Sequence, residues 1–365
     1  MTKPSLIVKT SVKFFQAPLN QPFRVATGQH DQLENILFTV ELKDGTKGHG
    51  EAAVATHITG ETIEQTLKNL KDTALWLEGR AIADYLDISA QLHERLAHNQ
   101  SALAAVEIAI FDALTRYLRI PLWRLWTFKP KCLRTDITIV IADLEETKAK
   151  TRAFKTQGFR AFKIKIGRDK RPNSFDVDIK RVEAVCCIAS GASIILDANQ
   201  GYSARESLQF LKQLSKIGIV PDLIEQPVPK ADWEGLKQIT RESRVCVCAD
   251  ESCSSLADAL RIIKEKAAGA VNVKLMKTGL VHALEISRLA HAAGVKLMIG
   301  GMMESNLAMT CSAHLAAGLG YFDFIDLDTP FFIKGEAARN PYLSSQGIYD
   351  LSKVKSGIGI TPTAV

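Results

Sequence analysis

From Thr135 onward the chain alternates short apolar strands with helical stretches of about ten to fifteen residues, and this rhythm limits the folds open to it more than any other feature. Strands joined through helices run parallel, because each crossover returns the chain to the same end of the sheet. Candidate strands begin near Thr135, Ala161, Ser193, Asp222, Val245, Ala270, Val295 and Phe322. Eight strands at a pitch of roughly 25 to 30 residues predict a (β/α)8-type barrel. Two helix signals support the count: Ser203 and Glu206 form an S-x-x-E capping box, and Leu280 to Ala293 carries a long apolar face. An open doubly wound sheet is the alternative, weakened because no strand is followed by G-x-G-x-x-G.

The first part of the chain reads as α+β. Leu6 to Phe15 has a strand pattern, and Ile36 to Lys43 alternates apolar and polar residues before an Asp44-Gly45 turn that leads back through Thr46 to Glu51. Polar loops are expected at Pro18 to His30 and Ala52 to Gly60. Helical periodicity follows over Glu61 to Trp76, Ile82 to Leu96 and Ser101 to Leu118, with Pro121 beyond. The expected division is an α+β domain over residues 1–125 and a barrel over 126–335. The tail, 336–365, holds a strand near Gly347 to Leu351 and is expected to fold back onto the first domain.

Composition excludes several classes. A net charge of +6 is spread along 365 residues without a basic block, so nucleic acid is not an expected partner. No apolar run approaches the roughly 20 residues needed to span a bilayer, and Met1 to Phe15 lacks a signal-peptide core, so a cytoplasmic protein with no membrane partner is expected. Seven cysteines, an odd set without C-x-x-C, read as free thiols in the core. No feature fixes an oligomeric state, and a homo-oligomer stays open.

Barrels of this kind carry chemistry at the C-terminal ends of their strands. Lys163 and Lys165 end the second strand and share one face by the two-residue period, with Phe162, Ile164 and Ile166 on the other. An isolated Lys-x-Lys is usually a solvated edge. Here two ammonium groups in one small space disfavour each other's charge, which suits a base. Asp197, Glu225 and Asp250 end the third, fourth and fifth strands, a ligand set for a hard divalent cation, magnesium by preference. Lys274 ends the sixth, across the barrel from Lys165. One lysine can remove a proton from a carbon next to a carboxylate while the other returns one on the far face, the metal stabilising the enediolate. The expected outcome is inversion at carbon, though β-elimination and cycloisomerisation use the same groups.

The segments Lys163 to Lys165, Asp197 to Gln200, Glu225 to Pro227, Ala249 to Ser252 and Asn272 to Gly279 together resemble the enolase superfamily, and within it the muconate-lactonizing-enzyme subgroup. The mandelate-racemase branch would place a His-Asp base at Lys274, and none of the eight histidines stands there. The resemblance implies a modified (β/α)7β TIM-type barrel under an α+β capping domain. Asp326 and Asp328 resemble the D-x-D motif with which dipeptide epimerases hold the substrate's ammonium group. It further implies that Lys163 binds the substrate carboxylate beside one magnesium ion, that Lys165 and Lys274 act on the α-carbon of the C-terminal residue of an L,L-dipeptide, and that Thr135 lies close to the substrate. A muconate cycloisomerase or an o-succinylbenzoate synthase-like enzyme is the alternative, but neither substrate has an ammonium group for Asp326 and Asp328. Relatives acting on alanyl-glutamate carry an arginine near the position of Gly28; Arg24 either compensates for it or is a solvated strand residue. Glu304 either faces the substrate or opens the next helix.

Overall fold

The computed structural model describes residues 5–26, 28–167, 174–335 and 339–362. Strands β1 (Ile7–Val25), β2 (Gly28–Leu42) and β3 (Lys47–Ala53) form an antiparallel sheet in that order. Ile36, Phe38, Val40 and Leu42 are buried on one face, as their alternation predicts. Helices α1 (Thr56–Thr59), α2 (Ile63–Leu77), α3 (Tyr85–Arg95) and α4 (Gln100–Tyr117) follow. The alanine-rich α4 lies directly on β3. A Cβ at Gly50 would fall 1.9 Å from the Ala105 carbonyl oxygen, so only glycine allows this approach.

One expectation fails here. Pro18 to His30 is not a polar loop: β1 continues to Val25 and β2 starts at Gly28, with Phe23 opposite His30 and a register irregularity between Pro18 and Phe23. Leu19, Phe23, Val25 and Leu33 are buried, and their alternation sustains a ladder that the two prolines only interrupt. The hairpin reaches the barrel, where Lys334 N donates to Pro18 O (2.9 Å) and Ile141 N to Arg24 O (3.2 Å). The second expected loop is also shorter, since β3 includes Ala53 and α1 makes one turn of helix.

After β4 (Leu133–Arg134), the eight strands are β5 (Ile137–Ile139), β6 (Ala161–Lys165), β7 (Ser193–Asp197), β8 (Leu223–Glu225), β9 (Cys246–Ala249), β10 (Ala270–Val273), β11 (Lys296–Ile299) and β12 (Phe324–Ile325), parallel and paired in sequential order. Among the described residues seven helices alternate with them: α5 (Leu144–Gln157), α6 (Ser174–Ile188), α7 (Ala204–Lys216), α8 (Trp233–Glu242), α9 (Leu256–Glu265), α10 (Leu275–Ala292) and α11 (Asn306–Leu319). This is the (β/α)7β order. Ser203 and Glu206 form the predicted capping box on α7. At the seam, Asp136 N donates to Ile325 O (2.9 Å) and Leu327 N to Thr135 Oγ1 (2.8 Å).

The tail forms β13 (Ile348–Tyr349), which pairs with β4. It then reaches α4, where Ile358 N donates to Asp112 Oδ1 (2.7 Å) and Arg116 Nη2 to Ile360 O (2.8 Å). All seven cysteines are free; Cys248, Cys253 and Cys311 are buried, while Cys132 and Cys187 are exposed, so the core reading holds for only some of them. Among the described residues no helix is long and apolar enough to cross a membrane.

Candidate active site

The polar residues of the barrel converge because parallel strands in register bring their C-terminal ends to one height. Lys165 on β6 is the register partner of Asp197 on β7, and Asp197 that of Glu225 on β8. On the opposite face of β6, Phe162 and Ile164 are fully buried among the surrounding apolar side chains. Lys163, Lys165 and Lys274 line one cleft, open to solvent, together with Thr138, Asn199, Asp326 and Asp328. Lys165 and Lys274 belong to β6 and the end of β10, four strands apart in an eight-stranded order, and so stand on opposite walls.

Within this space each lysine meets carboxylates. Lys163 Nζ lies 2.6 Å from Asp326 Oδ2, 2.7 Å from Glu225 Oε2 and 3.0 Å from Asp197 Oδ2. Lys165 Nζ is 2.6 Å from Asp197 Oδ2 and 3.2 Å from Asn199 Oδ1. Lys274 Nζ is 2.7 Å from Asp250 Oδ2, and a fourth lysine, Lys277, donates to Asp250 Oδ1 (2.7 Å), Asp250 O (2.6 Å) and Asn272 O (2.9 Å). Asn272 in turn donates to Glu225 Oε1 (2.7 Å).

Of the two lysines expected to weaken each other's hold on protons, Lys163 is shifted the other way, and Lys274 across the barrel shifts in the same sense. Burial pulls Lys163 and Lys274 down, but Asp197, Asp326 and Glu225 around Lys163, and Asp250 beside Lys274, outweigh it and hold both above the usual lysine range. Asp197 and Asp250 are buried, yet Lys163 and Lys165, and Lys274 and Lys277, keep them well below the usual carboxylate range. Acids in excess of the lysines shift the other way. Burial and Asp197 push Glu225 up to about 7, burial and Asp326 push Asp328 up to about 7, and burial and Asp250 push Glu251 up to about 8.

These carboxylates fit a hard cation. Asp197 and Glu225 already converge on one positive group, the Lys163 ammonium, and Glu225 Oε2 forms no hydrogen bond in spite of that contact. Asp250 stands on the next strand. Among the described residues, the acids whose oxygens come within 4.8 Å of one another are Asp136, Asp326 and Asp328 instead. Asp326 contacts Lys163, Asp328 accepts from Thr138 N (2.6 Å), and Asp136, whose two carboxylate oxygens form no hydrogen bond, is not part of the cavity wall.

Not every expected residue reaches the cavity. Phe23 and Val25 line it, so Arg24 between them points away; its Nε donates to Gln29 Oε1 (3.2 Å) and its Nη1 lies 3.8 Å from Glu146. Thr135 is spent on the barrel seam. Glu304 is fully buried beside the cavity: its Oε1 accepts from Met302 N (2.7 Å), its Oε2 has no partner, and burial pushes it up to about 8. Asn199, Asn272 and Lys277 were not singled out from the sequence, although each lies inside a quoted motif. The remaining wall is mostly apolar: Phe23, Val25, Ala55 and Ile58 from the α+β domain, and Gly301, Met302, Met303 and Met309 from the barrel, with His30 and Thr329 as its polar members.

Fold and site together define a member of the enolase superfamily. More narrowly, the chain belongs to the mandelate racemase/muconate lactonizing enzyme family: residues 9–126 match that family's N-terminal domain, and residues 146–364 match the enolase C-terminal domain-like profile. It is 50% identical over 355 residues to the hydrophobic dipeptide epimerase of Citrifermentans bemidjiense, covering 95% of each chain. The substrate-liganded L-Ala-D/L-Glu epimerase of Bacillus subtilis is 30% identical with a TM-score of 0.92, over 99% of this chain and 100% of that one. The dipeptide epimerase of Enterococcus faecalis V583, complexed with Mg and L-Leu-L-Tyr, is 29% identical with a TM-score of 0.90, over 98% and 100%. Epimerases are isomerases, and the chain is an enzyme of that class.

Proposed function

We propose that the protein is a magnesium-dependent epimerase of dipeptides with apolar side chains, inverting the α-carbon of the C-terminal residue. The observation that carries this reading is one cavity with Lys165 and Lys274 on opposite walls, Asp326 and Asp328 beside them, and an apolar rim. Asp197, Glu225 and Asp250 would hold the ion. When bound, it would offset the negative charge that grows on the substrate carboxylate as the α-proton leaves. Lys163, near Asp197 and Glu225, is suited to hold that carboxylate. Asp326 and Asp328 would take the substrate's ammonium group, with charge-assisted hydrogen bonds. Lys165 takes the proton from one epimer and Lys274 delivers one to the opposite face; in the other epimer the roles reverse.

The apolar rim supports the substrate class. Among the described residues, the α+β domain contributes no arginine or lysine to the wall, so His30 is the one group it offers there that could carry a positive charge opposite an acidic side chain. The reading is of a cytoplasmic enzyme whose partner is a small peptide. A cycloisomerase would leave Asp326 and Asp328 without a cationic substrate group.

The test is proton NMR in D2O with magnesium and a panel of L,L-dipeptides. Loss of the C-terminal α-proton signal with growth of the L,D epimer is expected, fastest for apolar members. Full activity in both Lys165→Ala and Lys274→Ala would refute the two-base mechanism.

A further inference from the structure

Arg181, on α6, is the bulkiest fully buried side chain among the described residues. A guanidinium is buried only at considerable cost unless its donors are satisfied, and here each of its three nitrogens has an acceptor. Nε donates to Thr147 Oγ1 (3.0 Å), Nη2 to Val140 O (2.7 Å), and Nη1 to Lys165 O (2.7 Å) and Asp178 Oδ1 (3.2 Å). The other oxygen of Asp178 accepts from Gly167 N (2.9 Å) and from the Tyr202 hydroxyl (2.9 Å). Gly167, at φ +90°, packs so closely on the Ala198–Gly201 turn that a Cβ would lie 3.2 Å from Ala198 O.

Two bonds of this cluster fall on the main chain immediately after the β6 lysine, one on the Lys165 carbonyl and one on the Gly167 amide. The others tie that point to the end of β5 through Val140, to α5 through Thr147 and to the segment after β7 through Tyr202. None reaches Lys274, which is held on the far wall by Asp250.

We infer that Arg181, Asp178 and the Tyr202 hydroxyl are positioning residues that fix the two peptide groups following Lys165, and so aim its ammonium group at one face of the substrate's α-carbon. This rests on the epimerase reading, and it makes the effect of the Arg181–Asp178–Tyr202 cluster one-sided. In the reaction the α-C–H bond breaks, its proton passes to a lysine Nζ, and its electron pair moves into the carboxylate. Return of a proton from the same lysine restores the starting epimer with solvent exchange; return from the opposite lysine inverts it. Misaiming Lys165 slows proton removal from the epimer that Lys165 serves. Removal from the other epimer by Lys274 continues as exchange without inversion.

The experiment measures α-proton loss in D2O with magnesium, starting separately from L-leucyl-L-leucine and L-leucyl-D-leucine. It compares the wild type, Lys165→Ala, Lys274→Ala, Asp178→Asn, Arg181→Lys and the mild Tyr202→Phe. Misplacement of a reacting group by about 1 Å costs on the order of 10²-fold. We expect Asp178→Asn and Arg181→Lys to lower exchange from one epimer by about tenfold or more relative to the other, on the same side as Lys165→Ala. The Tyr202→Phe effect should be smaller and of the same sign. Equal losses from both epimers, or asymmetry on the Lys274→Ala side, would overturn the inference while leaving the epimerase reading intact. No exchange in the wild type with either dipeptide or with the wider panel would remove both.

Discussion

Replacing Glu304 with glutamine isolates one buried carboxyl from the rest of the site. In the folded protein burial pushes Glu304 from 4.5 up to about 8, against the Met302 amide that it accepts. A carboxyl whose folded value lies above its unfolded one contributes stability that is whole below pH 4.5 and is lost as pH rises through about 8. At about 1.36 kcal/mol per unit, the loss between pH 5 and 9 comes to about 4 kcal/mol. For a chain of this length that is roughly 5 °C in melting temperature. The amide introduced by Glu304→Gln cannot ionise, and other titrating groups are common to both proteins. The melting temperatures of wild type and variant should therefore be close at pH 5, with the variant higher by roughly 5 °C at pH 9. Scanning calorimetry over that range measures the gap. A gap that stays constant with pH would refute the argument, since it would mean that Glu304 does not carry a proton into the neutral range.

Three further outcomes follow from the site. Magnesium at about a hundred times its dissociation constant should stabilise the protein by about 2.7 kcal/mol; thermal melts with and without EDTA should show the rise, and Glu225→Gln should suppress it. Ile58→Arg places a cation on the apolar rim, and should lower kcat/KM for apolar dipeptides by about tenfold or more while improving acidic ones; parallel losses on both classes in a dipeptide panel would count against the rim as the source of selectivity. Arg24→Ala should leave kcat/KM within about twofold, because the side chain points to a half-exposed pair with Glu146 of the kind that contributes about 0–1 kcal/mol; a tenfold loss would place Arg24 at the substrate.

The sequence made the barrel and its polar ends legible because both are local. A run such as Phe162 to Ile166 states its period within five residues, and its lysines share a face whatever lies beyond. Arg24 was harder for a related reason. The same alternation sends it away from Phe23 and Val25, but only once that stretch is known to be a strand, and Pro18 and Pro22 disguised the ladder. Thr135 was illegible in another way: its hydroxyl is used by Leu327 N, a partner 192 positions away. The shift of Lys163 depends on carboxylates from several strands, so for that residue the local rule of two neighbouring ammonium groups gave the wrong sign. Arg181 gave no signal, since a basic residue on a helix ordinarily faces solvent.

The α+β domain bears on the chemistry through buried acids that cap the barrel's own helices. Glu51, on β3, accepts from Ser305 N (2.8 Å) and from the Ser305 hydroxyl at the start of α11, while its neighbour Asn35 donates to Glu51 Oε1 (2.5 Å) and to Met303 O (2.9 Å). Glu107, on α4, accepts from Leu280 N (2.6 Å) and Val281 N (3.1 Å), just beyond the break in α10 at Gly279. Each carboxylate thus satisfies helix amides that would otherwise be orphaned, and each suits the positive end of the helix dipole. The helices concerned follow β10 and β11, the strands that carry Lys274 and the methionine rim. Separating the domains would strip both carboxylates of these donors and leave the helix amides without acceptors, and unpairing buried groups of this kind is strongly opposed. These bonds hold β3 and α4, the body of the α+β domain, against the helices that follow the Lys274 and methionine strands, and on the proposed reading they set the frame from which Phe23, Val25 and Ile58 face Met302 and Met303.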